Sequence, residues 1–264
     1  MNPNFVVDIG NTRIKWGRCS TSKVESVVSL PSDDPSAWKT QLQEWKIPEK
    51  KTWIVSGVNP ATRGCLIDWL RSQGQQVRLL DDPAELPLIV RLERPDHVGI
   101  DRLLNAVAAN SLRPEGKPAV LIDAGSAVTV DWLDEEGAFC GGAIFPGLRL
   151  MTKALHSYTA LLPLVSINKP SPALPGRSTP AAVESGVFWT VVGGINTIIG
   201  RMAQSSQPMV FLAGGDAGLL APCVDRLSLV WPEVTLEGIR WAVRIARESL
   251  AGTSHPAGAW DSKI

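Results

Sequence analysis

One pattern occurs twice in this chain and limits what it can fold into. An apolar β-branched run ends on an acid, makes a small turn, and continues into a second β-rich run. The first copy is NFVVDI at 4–9, followed by the turn Gly10-Asn11-Thr12 and the alternating run RIKWGR; the second is AVLIDAGSAVTVDWL at 119–133. Setting Asp8 on Asp123 brings Gly10 onto Gly125, Asn11 onto Ser126 and Thr12 onto Ala127. The offset is 115 residues, a little under half of a 264-residue chain. A single D-x-G pair arises by chance, but the same strand–acid–turn–strand unit repeated near half-length reads as an internal duplication. It predicts an α/β fold of two similar halves facing each other across a nucleotide cleft. The breaker RPEGKP (113–118) parts them into a first domain over 1–113 and a second over 114–264.

The remaining segments fill in the two halves. Strands are expected at 24–30, 52–58 and 76–80, with helical spacing at 36–46 and 61–73. Ile100, Leu103, Leu104, Val107 and Ala108 follow the 3.6-residue period, so a helix runs to about Arg113. In the second half AFCGGAIFPG (138–147) continues the sheet and 148–163 reads as a helix. Four prolines mark 163–178 as a long surface loop. Thr179 as N-cap and Pro180 at the first position then open a helix, with Val183, Val187, Val191, Ile195, Ile198 and Met202 as its apolar face. PMVFLAGGD (208–216) is a buried strand ending in a glycine turn. An amphipathic helix from about Leu236 to Leu250, stopped near Gly252, closes the chain.

Charge narrows the function. Lys+Arg and Asp+Glu each number 26, and residues 1–113 hold 15 basic and 13 acidic groups against 11 and 13 in the remainder. There is no basic stripe for sequence-independent nucleic-acid binding, so any anion must be held by local geometry. No apolar stretch of about 18 residues suggests a membrane span. The first acid comes too early for a signal peptide. Cys19, Cys65, Cys140 and Cys223 form no CxxC pair and have no histidine at ligand spacing, which reads as reduced thiols in a cytoplasmic protein.

Four motifs can carry chemistry. In Asp8-Ile9-Gly10-Asn11-Thr12 the glycine lets a phosphate approach, and consecutive amides and the Thr12 hydroxyl can donate to it. Asp8 can hold a hydrated divalent cation and Lys15 can reach the same charge; an ordinary Asx-type hairpin is the alternative. Asp123-Ala124-Gly125-Ser126 repeats the device. Gly99-Ile100-Asp101-Arg102 opens a helix, where an acid either complements the helix dipole or accepts a hydroxyl proton during phosphoryl transfer. Leu212-Ala213-Gly214-Gly215-Asp216 is either an adenine platform or a plain connection.

DIGNT, GIDR, DAGSAVTVD, GGAIFPGLRLMTKAL, AGGD and TLEGIRWA stand in the order found in the type III pantothenate kinases, and the chain resembles that family over nearly its whole length. The family belongs to the superfamily of acetate and sugar kinases, heat-shock ATPases and actin, built from two tandem ribonuclease-H-like domains. The resemblance implies ATP-dependent phosphorylation of pantothenate, the first step of coenzyme A synthesis, in a homodimer whose interface adds to the substrate site. It implies that Asp8, Ile9, Gly10, Asn11, Thr12, Arg13, Ile14 and Lys15 bind ATP phosphates and that Ser126 makes a second phosphate contact. Gly214 and Gly215 would lie on the adenine side. Gly99, Ile100, Asp101 and Arg102 would form the substrate wall with Asp101 as general base, and Thr179 would contact substrate. Magnesium or another divalent cation would accompany ATP, and potassium or ammonium would sit at Asp123. Leu92 stands where the family usually has tyrosine. Two alternatives follow: a kinase for another small hydroxy acid, and a nucleotide-binding transcription accessory factor that shares these motifs.

Overall fold

The computed structural model describes residues 3–204, 206–226 and 228–250. The first half runs β1 (Phe5–Ile9), β2 (Arg13–Cys19), β3 (Val24–Pro31), α1 (Pro35–Glu44), β4 (Thr52–Gly57), α2 (Pro60–Ser72), β5 (Gln76–Leu79) and α3 (Ile100–Leu112). The second runs β6 (Ala119–Ala124), β7 (Ala127–Leu133), β8 (Phe139–Pro146), α4 (Leu148–Tyr158), α5 (Thr179–Ala203), β9 (Met209–Ala213), α6 (Ala217–Leu220), β10 (Ser228–Val230) and α7 (Val234–Leu250).

The two sheets have the same wiring. Their orders are β3-β2-β1-β4-β5 and β8-β7-β6-β9-β10, antiparallel through the first three strands and parallel across the last two pairs. This is the ribonuclease-H-like sheet, present twice in tandem. The strand β10 is an edge of three residues, too short for an alternating pattern to announce it.

Alternation along the strands builds the first core. Phe5, Val7 and Ile9 of β1 share a face with Ile14, Trp16, Trp53 and Val55, and Trp38, Leu66, Ile67 and Leu70 of α1 and α2 cover it. Phe5 stacks on Trp53 at 4.4 Å between ring centroids, and Trp16 meets the same indole edge-on at 5.0 Å. Both helices start as their sequences dictate: Asp34 and Asn59 accept from backbone amides of the first turn, and Pro35 and Pro60 follow them. In the second half α5 lays Val183, Val187, Val191, Ile195 and Ile199 on β6, β7 and β9.

Several boundaries differ from the sequence expectation. The helix expected over 148–163 ends at Tyr158, and the His156 ring Nδ1 lies 2.8 Å from the Leu162 carbonyl oxygen. The cap of α5 is Ser178, whose hydroxyl accepts from the Ala181 amide, so Thr179 is the first helical residue and Pro180 the second. The buried stripe of α5 continues through Ile199 and Ala203, while Ile198 and Met202 are half-buried, because the stripe drifts around a helix of 25 residues. This helix is long and apolar enough to cross a membrane by length and composition, against the expectation that no stretch is. Its apolarity has a local cause: it is the central core helix of its unit.

Packing separates two units, one from the N-terminus to Glu115 together with the chain from Glu233 onward, the other from Gly116 to Pro232. The last helix, expected in the second domain, thus packs with the first. α7 lies on β1, β2, β3, β4 and α3. Glu237, buried, accepts from the Val24 amide and from Arg240 Nε, both at 2.7 Å, and Thr235 Oγ1 donates to Asn105 Oδ1 at 2.8 Å. An amphipathic stripe calls for an apolar partner without naming the sheet that provides it. The expected stop near Gly252 lies outside the described residues. All four cysteines are free thiols, and burial pushes that of Cys19 up to about 12.

Candidate active site

In the first unit β1 ends at Ile9 and β2 begins at Arg13, leaving a turn of three residues closed by the Gly10 amide donating to the Arg13 carbonyl at 3.1 Å. That amide is therefore spent on the turn. Ile9 and Ile14 are fully buried on the core face and offer a ligand only backbone. Arg13 turns its guanidinium to β3, donating to the hydroxyl and carbonyl of Ser29 at 2.7 and 2.8 Å. Asn11 and Thr12 are exposed at the tip. On the opposite face Asp8 pairs directly with Lys15 of β2 and with Ser56 of β4, so the three side chains share one side of the sheet.

The Gly99–Arg102 motif is tied to this turn through one residue. The Val58 amide donates to the Ile9 carbonyl at 3.0 Å, and a Cβ on Gly99 would lie 3.7 Å from Val58 Cγ1 and 2.6 Å from Asp101 Oδ1. Any side chain at 99 would displace the carboxylate, which is why the motif starts with glycine. Asp101 stands in the first turn of α3, where its Oδ1 accepts from the Arg102 amide at 2.8 Å. Burial pushes its carboxyl above the usual carboxylate range, opposed by that amide and by the Arg102 charge. Upstream, Arg94 holds the exposed Asp96 at 3.1 Å and lowers its pKa, and His97 is exposed as well.

The second unit repeats the device with one residue fewer. β6 ends at Ala124 and β7 starts at Ala127, and Asp123 pairs with Thr129. Thr129 therefore answers to Lys15, and Ala127 answers to Arg13, not to Thr12 as the ungapped alignment has it. A two-residue turn closes the hairpin through Gly125 N donating to Ala127 O at 3.0 Å. Ser126 is exposed at its tip. Next to it stands the start of α4: Gly147 N donates to Ser126 O at 3.0 Å, and a Cβ on Gly147 would come within 2.1 Å of Gly125 O. The positive end of an 11-residue helix therefore faces the turn.

The glycine turn after β9 completes this end of the sheet. Gly214 has φ +92°, and a Cβ there would lie 2.3 Å from the Ala124 carbonyl, so the close approach it permits is to the chain itself. Gly215 faces open space. The Asp216 amide donates to Ala124 O at 3.0 Å. Burial raises the Asp216 carboxyl, opposed by the charge of Arg149 in the first turn of α4. Gly147, Arg149, Ser56 and Val58 were not singled out by sequence. Gly147 lay in a quoted motif, but its role depends on which turn it approaches.

Thr179 is exposed at the start of α5 and lines an apolar groove of about 440 Å³ with Met151, Leu155, Leu162, Val183 and Val187. Thus Asp8 to Lys15 and Gly99 to Arg102 gather in the first unit, and Asp123, Ser126, Gly214 and Gly215 in the second. Thr179 belongs to the second unit on a separate helix.

Among the described residues no three His, Cys, Asp or Glu side chains converge on a metal-sized site. A divalent cation shared with phosphates needs no such cage, only one or two carboxylates and water. Asp8, with the buried and unpartnered Ser56 hydroxyl in register beside it, fits that mode.

A family model for the type III pantothenate kinases matches residues 4–201. The chain belongs to the type III pantothenate kinase family. The type III pantothenate kinase of Moorella thermoacetica is 32% identical over 249 residues, spanning 89% of this chain and 96% of its own. That of Paramagnetospirillum magneticum is 40% identical over 254 residues, spanning 89% and 94%. Among solved structures, a Campylobacter jejuni protein described as a Baf family transcriptional activator superposes with a TM-score of 0.61 at 19% identity, covering 92% of this chain and 99% of its own. Component A of (R)-2-hydroxyglutaryl-CoA dehydratase from Acidaminococcus fermentans gives 0.51 at 12%, covering 94% and 98%. At these identities the structural likeness speaks for the fold alone. For a type III pantothenate kinase the fold holds two acid-tipped turns of the same design, and it is a kinase by membership.

Proposed function

We propose that this chain transfers the γ-phosphoryl group of ATP to the primary hydroxyl of pantothenate, the opening reaction of coenzyme A synthesis. Asp101 is the general base: its Oδ2 accepts the hydroxyl proton as the substrate oxygen bonds to the γ-phosphorus and the bond to ADP breaks. The single observation that carries the assignment is the Asp101 carboxylate itself. It is half-buried, displaced upward in pKa, anchored by one oxygen to its own helix, and stands next to Gly99, whose Cβ position faces Val58 beside the first turn. A raised pKa makes a carboxylate a better proton acceptor near neutral pH.

Phosphoryl transfer needs mostly positioning and charge stabilisation. Asn11 and Thr12 at the exposed tip and Lys15 behind it hold phosphate oxygens in this reading, with Ile9, Gly10, Arg13 and Ile14 shaping the turn. Ser126 and the α4 amino end serve the second turn, and Gly215 gives the adenine side an open backbone. When bound with ATP, magnesium or a similar divalent cation neutralises charge on the β- and γ-phosphates. Asp8 holds its hydration shell. Potassium or ammonium at Asp123, with the Thr129 hydroxyl in register beside it, offsets the acid near the phosphates. Gly99, Ile100 and Arg102 flank the substrate, Arg102 facing its carboxylate.

Thr179 contacts substrate within a cytoplasmic homodimer. Support for that arrangement comes from the groove it lines and from exposed apolar side chains on nearby chain: Leu150 at 46%, Tyr158 at 90% and Leu161 at 92% exposure. A coupled assay with pantothenate and ATP, with and without potassium, tests the whole reading. Turnover that rises with potassium is expected, from a species with the mass of two chains. Absence of turnover in both conditions would overturn it in favour of a nucleotide-binding accessory factor.

A further inference from the structure

Two buried polar side-chain atoms have no hydrogen-bond partner among the described residues: Trp16 Nε1 and Ser56 Oγ. Trp16 is a core indole packed on Trp53 and Trp69. Ser56 is in a different position. It is 0% exposed, on the second-last residue of β4, and the parallel β1–β4 register sets it directly beside Asp8. With strands about 4.8 Å apart, neighbours in register point the same way. Lys15, Asp8 and Ser56 thus form one polar row across β2, β1 and β4.

The fold does not call for a hydroxyl there. An unmade hydrogen bond on a buried hydroxyl costs stability. The matching position in the second unit, beside Asp123, is Ala213. An apolar residue of nearly the same size therefore satisfies this point of the same sheet, and serine at 56 needs another reason.

We propose that Ser56 is a positioning residue for Asp8. Its hydroxyl donates to the Asp8 carboxylate when that carboxylate holds the hydrated divalent cation bound with ATP, and so sets which carboxylate oxygen faces the cation. The inference rests on the assignment of Asp8 made above, and the test separates the two.

Ser56→Ala, Asp8→Asn and the double variant are compared by thermal unfolding of the unliganded protein and by Mn2+ binding in the presence of a non-hydrolysable ATP analogue. Ser56→Ala is expected to raise the unfolding midpoint by about 2–4 °C, since it removes an unsatisfied hydroxyl. It should weaken Mn2+ about tenfold, as loss of one charge-assisted hydrogen bond does. In the Asp8→Asn background the same change should weaken Mn2+ little further. A fall in the midpoint would show a structural hydroxyl and overturn the proposal. Unchanged Mn2+ affinity in Ser56→Ala, with weakened affinity in Asp8→Asn, would overturn it while leaving the Asp8 assignment standing. Equal weakening with and without Asp8 would do the same. Unchanged affinity in Asp8→Asn would overturn both.

Discussion

The two sheets are copies in topology and differ in what they place around the acid. In the first unit Asp8 is flanked by Lys15 and Ser56; in the second, Asp123 is flanked by Thr129 and Ala213. One acid therefore has an ammonium and a hydroxyl in register with it, the other a hydroxyl alone. The backbone device beside each acid is nevertheless the same. Gly57 at the end of β4 and Gly214 just after β9 both have positive φ, and a Cβ on either would lie 2.3 Å from the carbonyl oxygen of Ile9 or Ala124. The difference teaches that duplication preserved the backbone geometry of the turn, while the side chains in register with the acid diverged: a lysine and a serine in one half, a threonine and an alanine in the other.

Removal of Asp101, the proposed base, should produce the largest effect. Asp101→Asn is expected to lower kcat by about 10³, within the range for loss of a general base, with ATP affinity kept. Steady-state kinetics alongside nucleotide titration checks it; equal loss of ATP binding would sink the assignment. The sign for stability is opposite to that for activity. Because the folded pKa is raised, the native state holds its proton to higher pH than the unfolded chain, and stability falls as pH rises through that window. Above it the penalty is fully present, so Asp101→Asn should unfold later than the parent at neutral pH, and the acid limb of kcat/KM should lie above the usual carboxylate range.

Next come the shared glycines. Gly57→Ala and Gly214→Ala each force a Cβ against a carbonyl at positive φ and should each cost about 2–4 kcal/mol in denaturant unfolding. Similar losses would support the structural equivalence of the halves; a loss in only one would break it. Lys15→Thr copies the second unit's pairing into the first. With one charge-assisted contact gone, the KM for ATP should rise about 10- to 100-fold with Tm little changed. The smallest effect is expected from Asp123→Ala, a several-fold loss confined to potassium activation and read as rate against potassium concentration. Undiminished potassium dependence would move the ion elsewhere.

Much of this could be read in advance. Strand–acid–turn–strand patterning located both turns, because alternation and a terminal acid are local properties of about ten residues. The helix carrying Asp101 was legible for the same reason, through its 3.6-residue stripe. Ser56 was not, since a serine in TWIVSGV carries no signal until the register beside Asp8 is known. The ungapped alignment of the turns failed at Ala127 because a one-residue difference in turn length is invisible until strand pairing is seen. The unit boundary after Glu115 falls inside RPEGKP, yet α7 returned to the first unit.

By itself the sequence determined the repeat, the two acids, the helix that carries Asp101 and the family, all of which depend on order and local periodicity. Only tertiary structure decided which side chains stand beside each acid, which sheet the last helix covers, and which glycines yield to backbone. Those are matters of register and packing between segments far apart in the chain, where a displacement of one residue turns a side chain to the opposite face.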